Sequence, residues 1–451
     1  MNLPYLVVSD GCGRVFEIPD YLMAGMAWNR PALPEEEDLI PLPEGSDLFE
    51  LPGRGAIGYD PSRSEFVQVR EYRGNTVYPV AAFMAPAYLQ FYRSAFSRSP
   101  AACGPAVRQP RTPHSGKAEA AAAKLPLYSY TAVGWRDGGF YVTATRIDPD
   151  ERQDLKNMDP DAIRRNAGKM LKRYPENRLV RHLVDNCVFR YACPAARNFV
   201  MRRWECPLPA SPLCNARCVG CISEQPPGSA VPASQDRIAF VPFPEEIAQI
   251  GIDHLNIAPR AVVSFGQGCE GEPLLVGDVI QESLRAIRSR TKRGVINLNT
   301  NASRPDVVER LCRAGLDSIR VSLNSAQEHY YNIYHDPHGY SFEDVMQSLR
   351  IAKRYGLWVS LNYFVFPGFT DHPQEMGALE RFIGEVKVDM IQARNLNIDP
   401  DLYVEQMALE NLSAESVGVR HWISGMRERF PWIKLGYFNP PREEMGEARG
   451  G

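Results

Sequence analysis

Residues 206–225 read CPLPASPLCNARCVGCISEQ. Four of the chain's ten cysteines lie in this stretch, and the last three are spaced Cys214-x3-Cys218-x2-Cys221. In a reducing compartment, clustered thiols serve as metal ligands or redox groups more often than as structural disulfides. A structural zinc site asks for four closed ligands, usually two pairs with a short knuckle. Cys206 would be a fourth, but the PLPASPL segment before Cys214 is no knuckle and no second pair follows. A cubane iron–sulfur cluster is held by cysteine thiolates, normally one per iron. Three thiolates leave one iron with open coordination sites. The spacing therefore points to a cluster that can take a ligand, where a closed site would be inert.

Outward from this stretch the chain alternates two patterns. Strand-like runs, NFVMRRWECPL, RAVVSFG, GVINLNT, SIRVSLN, WVSLNYFVF and DMIQARNLNI, are separated by amphipathic helical runs such as RPDVVERLCRAG and SFEDVMQSLRIAKRYG. Pro305 opens one helix, and Gly315 and Gly356 stand where left-handed caps close two others. Strands alternating with helices predict right-handed crossovers and a parallel sheet. The expected fold class is α/β over residues 199–400, either an open doubly wound sheet or a partial (β/α)6 TIM-type barrel, with a β-rich region before it. Such folds carry their chemistry at the C-terminal ends of the strands. Polar and glycine residues collect there: the cysteine triad, then GQGCEGEP, NTNA, SLNS, LNYFVFPGFTD and RNLNIDP.

Taken in order, these motifs resemble the radical S-adenosylmethionine (radical SAM) superfamily. Cys214, Cys218 and Cys221 match its cluster-binding triad. GEP (Gly271, Glu272, Pro273) looks like its glycine–glutamate motif, VSLNS like its fourth-strand motif and NYFVFPG like its fifth-strand region. Two positions depart from the pattern: Gly220 precedes the third cysteine where an aromatic residue is frequent, and Glu270-Gly271 replaces the usual double glycine. The resemblance implies a 4Fe-4S cluster and S-adenosylmethionine as cofactors. It further implies reductive cleavage to methionine and a 5′-deoxyadenosyl radical, which abstracts hydrogen from a substrate that the sequence does not identify. By the same resemblance Glu272 accepts hydrogen bonds from the methionine ammonium, with Gly271 allowing close backbone approach. Ser322 donates to the carboxylate, Asn324 meets carboxylate or ribose, and Asn362 meets the ribose. Arg394 and Asn395 face cofactor or substrate. The partners it implies are S-adenosylmethionine, an electron donor such as flavodoxin or ferredoxin, and the unidentified substrate. No catalytic side chain is assigned.

Further thiols, Cys187, Cys193 and Cys206, precede the triad and are candidate ligands of an auxiliary iron–sulfur cluster, with Cys12, Cys269 or a non-cysteine group as the fourth. Cys269 would otherwise face the cavity as a group for substrate chemistry. Cys103 and Cys312 carry no functional signal, and the eight histidines form no ligand cluster by spacing. A non-catalytic iron–sulfur or zinc protein, serving in electron transfer or assembly, is the alternative. It accounts for the cysteines and leaves the polar strand ends unexplained.

The remaining chain divides into a β-rich region (1–98), a Pro/Ala-rich linker (99–126), a hairpin with a helical connector (127–198) and an extension (401–451). SYTAVGWRDGGFYVTATRID reads as a hairpin turning at Asp137-Gly138-Gly139, and DPDAIRRNAGKMLKRY as a helix with Pro160 in its first turn. A net charge of −3 argues against nucleic acid or anionic membrane as partners. No apolar run approaches the roughly 18 residues of a membrane span and no secretory leader is evident, so cytoplasmic residence is expected.

Overall fold

The computed structural model describes residues 2–97, 107–108, 122–229, 231–412 and 415–446. Most of the linker predicted over 99–126, together with Cys103, lies outside the described residues. The chain forms two compact units, one of Met1–Ile147, Phe364–Gly377 and Arg394–Pro431, the other of Asp148–Tyr363, Ala378–Ala393 and Trp432–Gly451.

The first unit is β-rich, built on a twelve-stranded sheet. Its first strand, Tyr5–Ser9, pairs antiparallel with Val15–Met23 in the register Val8↔Phe16 and Ser9↔Val15. Alternation sends neighbouring side chains to opposite faces, and here both faces are covered. Leu6 and Val8 pack with Ile18, Ala56 and Val69, whereas Val7 packs with Val80, Val133 and Val142. The predicted hairpin is formed by Val133–Arg136 and Gly139–Arg146. Its turn residues Asp137 (φ 51) and Gly138 (φ 81) are both left-handed, as a two-residue turn between twisted strands requires. Asn395 differs from expectation. Its amide donates to the Tyr88 carbonyl (3.0 Å) and accepts from the Gln90 N–H (2.9 Å), so both ends are committed to main chain of this unit.

The second unit contains the parallel sheet. We label its helices α1 (Pro160–Arg173) and α2 (Pro194–Val200), then the strands β1 (Glu205–Pro207), β2 (Val262–Phe265), β3 (Val295–Thr300), β4 (Ser318–Leu323), β5 (Trp358–Val365), β6 (Met390–Asn395) and β7 (Lys434–Gly436). The strands lie side by side in chain order, a parallel half-barrel. β2 and β3 are buried at every position, the mark of a strand covered on both faces. Helices α3 (Pro244–Ile257), α4 (Gly277–Arg290), α5 (Pro305–Ala314), α6 (Glu328–His335) and α7 (Phe342–Arg354) fill the crossovers. α5 begins at Pro305 and closes on Gly315 at φ 106, as its punctuation predicts.

Two local readings change. The run NFVMRRWECPL is not one strand. Pro194 at the first helical position starts α2, which buries Ala195, Ala196, Phe199 and Val200, and only Glu205–Pro207 is extended. A seventh strand, β7, joins β6 in parallel; three residues carry too little alternation to be read as a strand.

His254 on α3 is buried, its Nε2 2.9 Å from the Trp204 carbonyl oxygen. A carbonyl only accepts, so Nε2 carries the proton. Burial pushes the imidazole down to about 4 from its ordinary 6.5. The unfolded chain takes up this proton first, so the stabilisation is complete above the unfolded value and is lost as pH falls from 6.5 towards 4. The loss reaches up to about 3 kcal/mol. His254→Gln is expected to flatten that part of the acid slope, measured by urea unfolding at neutral and mildly acidic pH.

Candidate functional site

The loop after β1 holds the cysteine triad and is fixed through its backbone on two sides. On one side the segment after β2 crosses it: the Gly271 N–H donates to the Ser211 carbonyl (2.7 Å) and the Glu272 N–H to that of Leu213 (2.8 Å). A Cβ on Gly271 would lie 2.0 Å from the Leu213 oxygen, inside any tolerable contact. On the other side lies the end of α6. The Arg217 N–H donates to the His335 carbonyl (3.0 Å), the Val219 N–H to Tyr334 (2.9 Å) and the His338 N–H to Asn215 (2.9 Å), with a bridge between Ala216 and Pro337. The Cys221 N–H donates to the Cys218 carbonyl at 3.0 Å, closing a tight turn within the triad.

The three thiols are half-buried. Burial together with the nearby Glu272 charge pushes the Cys214 thiol up to about 11, and burial also holds the Cys218 thiol well above its ordinary value. Such thiols stay protonated in the apo chain and ionise against a cation. Cys218 Sγ is 3.3 Å from His335 Nδ1, and Cys221 Sγ is 3.7 Å from an Arg237 guanidinium nitrogen. His335 stacks on Tyr331 with ring centroids 4.3 Å apart, and burial pushes it down to about 3. It is therefore neutral.

Glu270 and Glu272 are both buried, and burial pushes each carboxyl up to about 7. Glu272 accepts from the Leu274 N–H (3.0 Å), the Asn301 N–H (2.8 Å) and the Thr300 hydroxyl, tying the segment after β2 to the end of β3. Glu270 accepts from the backbone N–H groups of Ala210 (2.8 Å), Ser211 (3.0 Å) and Gln267 (2.7 Å). This residue replaces a glycine of the resembled motif, and it organises the entry to the cysteine loop. The sequence shows it only as a departure. Asn215 was likewise missed: its side chain donates to Ser303 Oγ and accepts from Asn301, a partnership between residues far apart in the chain.

Ser322 on β4 and Asn362 on β5 are register partners on adjacent parallel strands, both half-buried. Asn324 follows at the end of β4 and is fully buried. Its amide nitrogen donates to the Tyr330 carbonyl at 3.3 Å, while its oxygen finds no partner among the described residues. Deeper in the half-barrel lies a polar network. Glu205 accepts from the Ser264 hydroxyl (2.6 Å) and the Asn439 amide (2.8 Å). Asn439 accepts from Gln392 (3.0 Å), which accepts from Arg320 (3.0 Å). Asn297 bridges Ser318 and Asn299.

The remaining cysteines group differently from the sequence reading. Cys206 is fully buried, its thiol 3.7 Å from the Pro207 carbonyl, and it lies outside the other thiol group. Cys187 Sγ is 3.6 Å from Cys269 Sγ and 3.8 Å from His182 Nε2. Cys269 thus faces Cys187, and His182 belongs to a ligand group that histidine spacing does not reveal. Cys312 is buried on α5. No helix among the described residues is long and apolar enough to cross a membrane.

The architecture is an α/β half-barrel with a thiol triad on the loop after its first strand. Residues 208–379 match the model of the radical SAM superfamily. A protein of Thermococcus kodakarensis described as a probable GTP 3',8-cyclase is 31% identical over 161 residues, 35% of this chain and 46% of that protein. The chain therefore spans under half of that relative. Among solved structures, SuiB of Streptococcus suis bound to S-adenosylmethionine is 16% identical, with 60% of this chain and 62% of that chain covered and a TM-score of 0.36. The FeFe-hydrogenase maturase HydG of Carboxydothermus hydrogenoformans is 13% identical, with 61% and 69% covered and a TM-score of 0.34.

Gly271→Ala is expected to push the Leu213–Cys214 backbone away and to destabilise the chain by about 1–3 kcal/mol. Iron bound after anaerobic reconstitution should fall with it. Full iron with unchanged stability would show that the crossing is not tight.

Proposed function

We propose that this chain is a radical SAM enzyme that holds a 4Fe-4S cluster through Cys214, Cys218 and Cys221 and binds S-adenosylmethionine beside it. When bound, cluster and cofactor together supply a 5′-deoxyadenosyl radical for hydrogen abstraction. The observation that carries the reading is the buried carbonyl oxygen of Asn324, without a partner among the described residues at a strand end of the half-barrel. An unmade hydrogen bond of this kind costs about 1–3 kcal/mol, and a ligand with donors recovers it. The donor set fits as well: three thiols on a loop immobilised through its main chain.

Each side chain then has a role. Glu272 keeps a carboxylate near the triad for the methionine ammonium, and its bonds to Asn301 and Leu274 hold it in one rotamer. Asn324 and the register pair Ser322 and Asn362 serve the carboxylate and ribose. His335, neutral through burial, donates its Nδ1–H to the sulfur of Cys218, and Arg237 donates to that of Cys221. Hydrogen bonds to ligand sulfurs raise a cluster's reduction potential. An external one-electron donor of the flavodoxin or ferredoxin class completes the reading, and the substrate remains open.

Replacing Cys214, Cys218 and Cys221 together by Ala is expected to abolish the reducible cluster signal that responds to S-adenosylmethionine, and with it deoxyadenosine formation. Persistence of either rejects the proposal. Asn324→Ala is expected to weaken S-adenosylmethionine binding about tenfold, one hydrogen bond's worth, with urea stability of the apo chain unchanged or raised. Calorimetric binding equal to wild type would remove Asn324 from the site.

A further inference from the structure

His182, Cys187 and Cys269 form a second candidate ligand group, distinct from the triad and all within the second unit. Their donor atoms lie within 4.8 Å of one another, and among the described residues no other set of three His, Cys, Asp or Glu side chains does so. Cys187 and Cys269 are buried and His182 is half-buried. A backbone bond from the Cys193 N–H to the Cys187 carbonyl (2.8 Å) holds a third cysteine beside this group, its sulfur outside the 4.8 Å set.

The distances discriminate between metal centres. A tetrahedral zinc ion holds thiolates at about 2.3 Å and imidazole nitrogens at about 2.0–2.1 Å, which sets S···S near 3.8 Å and S···N near 3.6 Å. The observed separations are 3.6 Å for the two thiols and 3.8 Å for thiol and imidazole. In a cubane each thiolate sits on its own iron, so ligands of one cluster stand farther apart. The sulfurs of the triad do not all lie within 4.8 Å of one another. The second group has the spacing of a single ion.

An independent feature points to the same place. Leu183–Arg190 is a π-helix, a rare winding found mostly as short bulges at functional sites. At 3.6 residues per turn, positions five apart point about 140° away from each other. In a π-helix the i→i+5 bond closes each turn, so residues five apart stand nearly one above the other. That winding brings His182 and Cys187 to one face.

We propose that His182, Cys187 and Cys269 bind one tetrahedral zinc ion, with Cys193, whose sulfur stands outside the 4.8 Å group, closing in as the fourth ligand; this structural centre is separate from the proposed cluster. Binding displaces the thiol protons and involves no electron transfer. The ion ties the π-helix to the segment 269–272, which crosses the cysteine loop. This site replaces the grouping of Cys187, Cys193 and Cys206 read from sequence.

The test uses the full chain with Cys214, Cys218 and Cys221 all changed to Ala, so that its outcome does not depend on the proposed cluster. Purified from medium containing both metals, that variant is expected to retain about one zinc per chain with no sulfide. Adding Cys187→Ser should bring the zinc below about a tenth of that. In case the added substitution impairs folding, the metal-free triple variant is also titrated with cobalt(II) alone. Thiolate charge-transfer and tetrahedral visible bands at one equivalent support the site. Iron and sulfide near four each in the triple variant would mean a second cluster and overturn the single-ion assignment. An intact mass two hydrogens light with no metal would mean a Cys187–Cys269 disulfide and overturn it too, as would a metal-free chain that gives no cobalt spectrum.

Discussion

The second unit depends on one close crossing of two main chains, Gly271 against Leu213. The gap admits no side chain on Gly271, since a Cβ there would fall 2.0 Å from the carbonyl oxygen. Two backbone hydrogen bonds span the crossing. A loop carrying three thiols has many conformations, and ordering it costs roughly 1–2 kcal/mol per residue in backbone entropy. Here that cost is met by main-chain bonds on both sides of the loop, which leaves the thiols free to serve as ligands. A loop positioned by its own side chains would have to spend its thiols.

The interior of the half-barrel follows a different logic. Glu205, Asn297, Asn299, Gln392 and Asn439 are all buried, and an unpaired polar group there would be costly. They answer one another. Asn439 joins Glu205, Ser264 and Gln392, and its own carbonyl accepts from Arg152 at 3.0 Å. Asn439 comes from the last stretch of the chain, whose backbone at Tyr437 and Phe438 donates to Asp148. The half-barrel is thus completed by residues remote in sequence. A fully satisfied network of this kind specifies one arrangement of strands more sharply than an apolar filling, because every alternative leaves a polar group unmade.

These contrasts explain what was legible in the sequence. β2 to β5 show as apolar or β-branched runs because buried parallel strands need little else, and their polar ends mark the site. The triad is legible because its three cysteines are local in sequence. α2 was masked by the arginine-rich residues that follow it, and β7 is too short to have a pattern. Glu270 reads as a deviation because its partners are backbone groups, which leave no trace in composition. His182 and Cys269 are far apart in the chain, and the π-helix that aims His182 breaks the periodicity on which spacing arguments rest. The error over Cys206 has the same origin. Proximity in sequence suggested a ligand, and β1 carries that thiol into the core.

Residues 269–272 show how much one short segment can hold. Cys269 faces Cys187 on the π-helix, and Glu270 takes the backbone N–H groups at the entry of the cysteine loop. Gly271 lies against Leu213, and Glu272 reaches Thr300 and Asn301 at the end of β3. Four successive residues thus fix four different neighbours, three through side chains and one through the lack of a side chain. The replacement of a second glycine by Glu270 is intelligible in these terms. Glycine at 270 would leave the N–H groups of Ala210 and Ser211 to find other partners, and buried donors without acceptors are rare in folded proteins. The carboxylate supplies them, and its burial is compensated by at least three main-chain donors. A position that looks like a loss of flexibility is in this chain the anchor of the loop that carries the three cysteines.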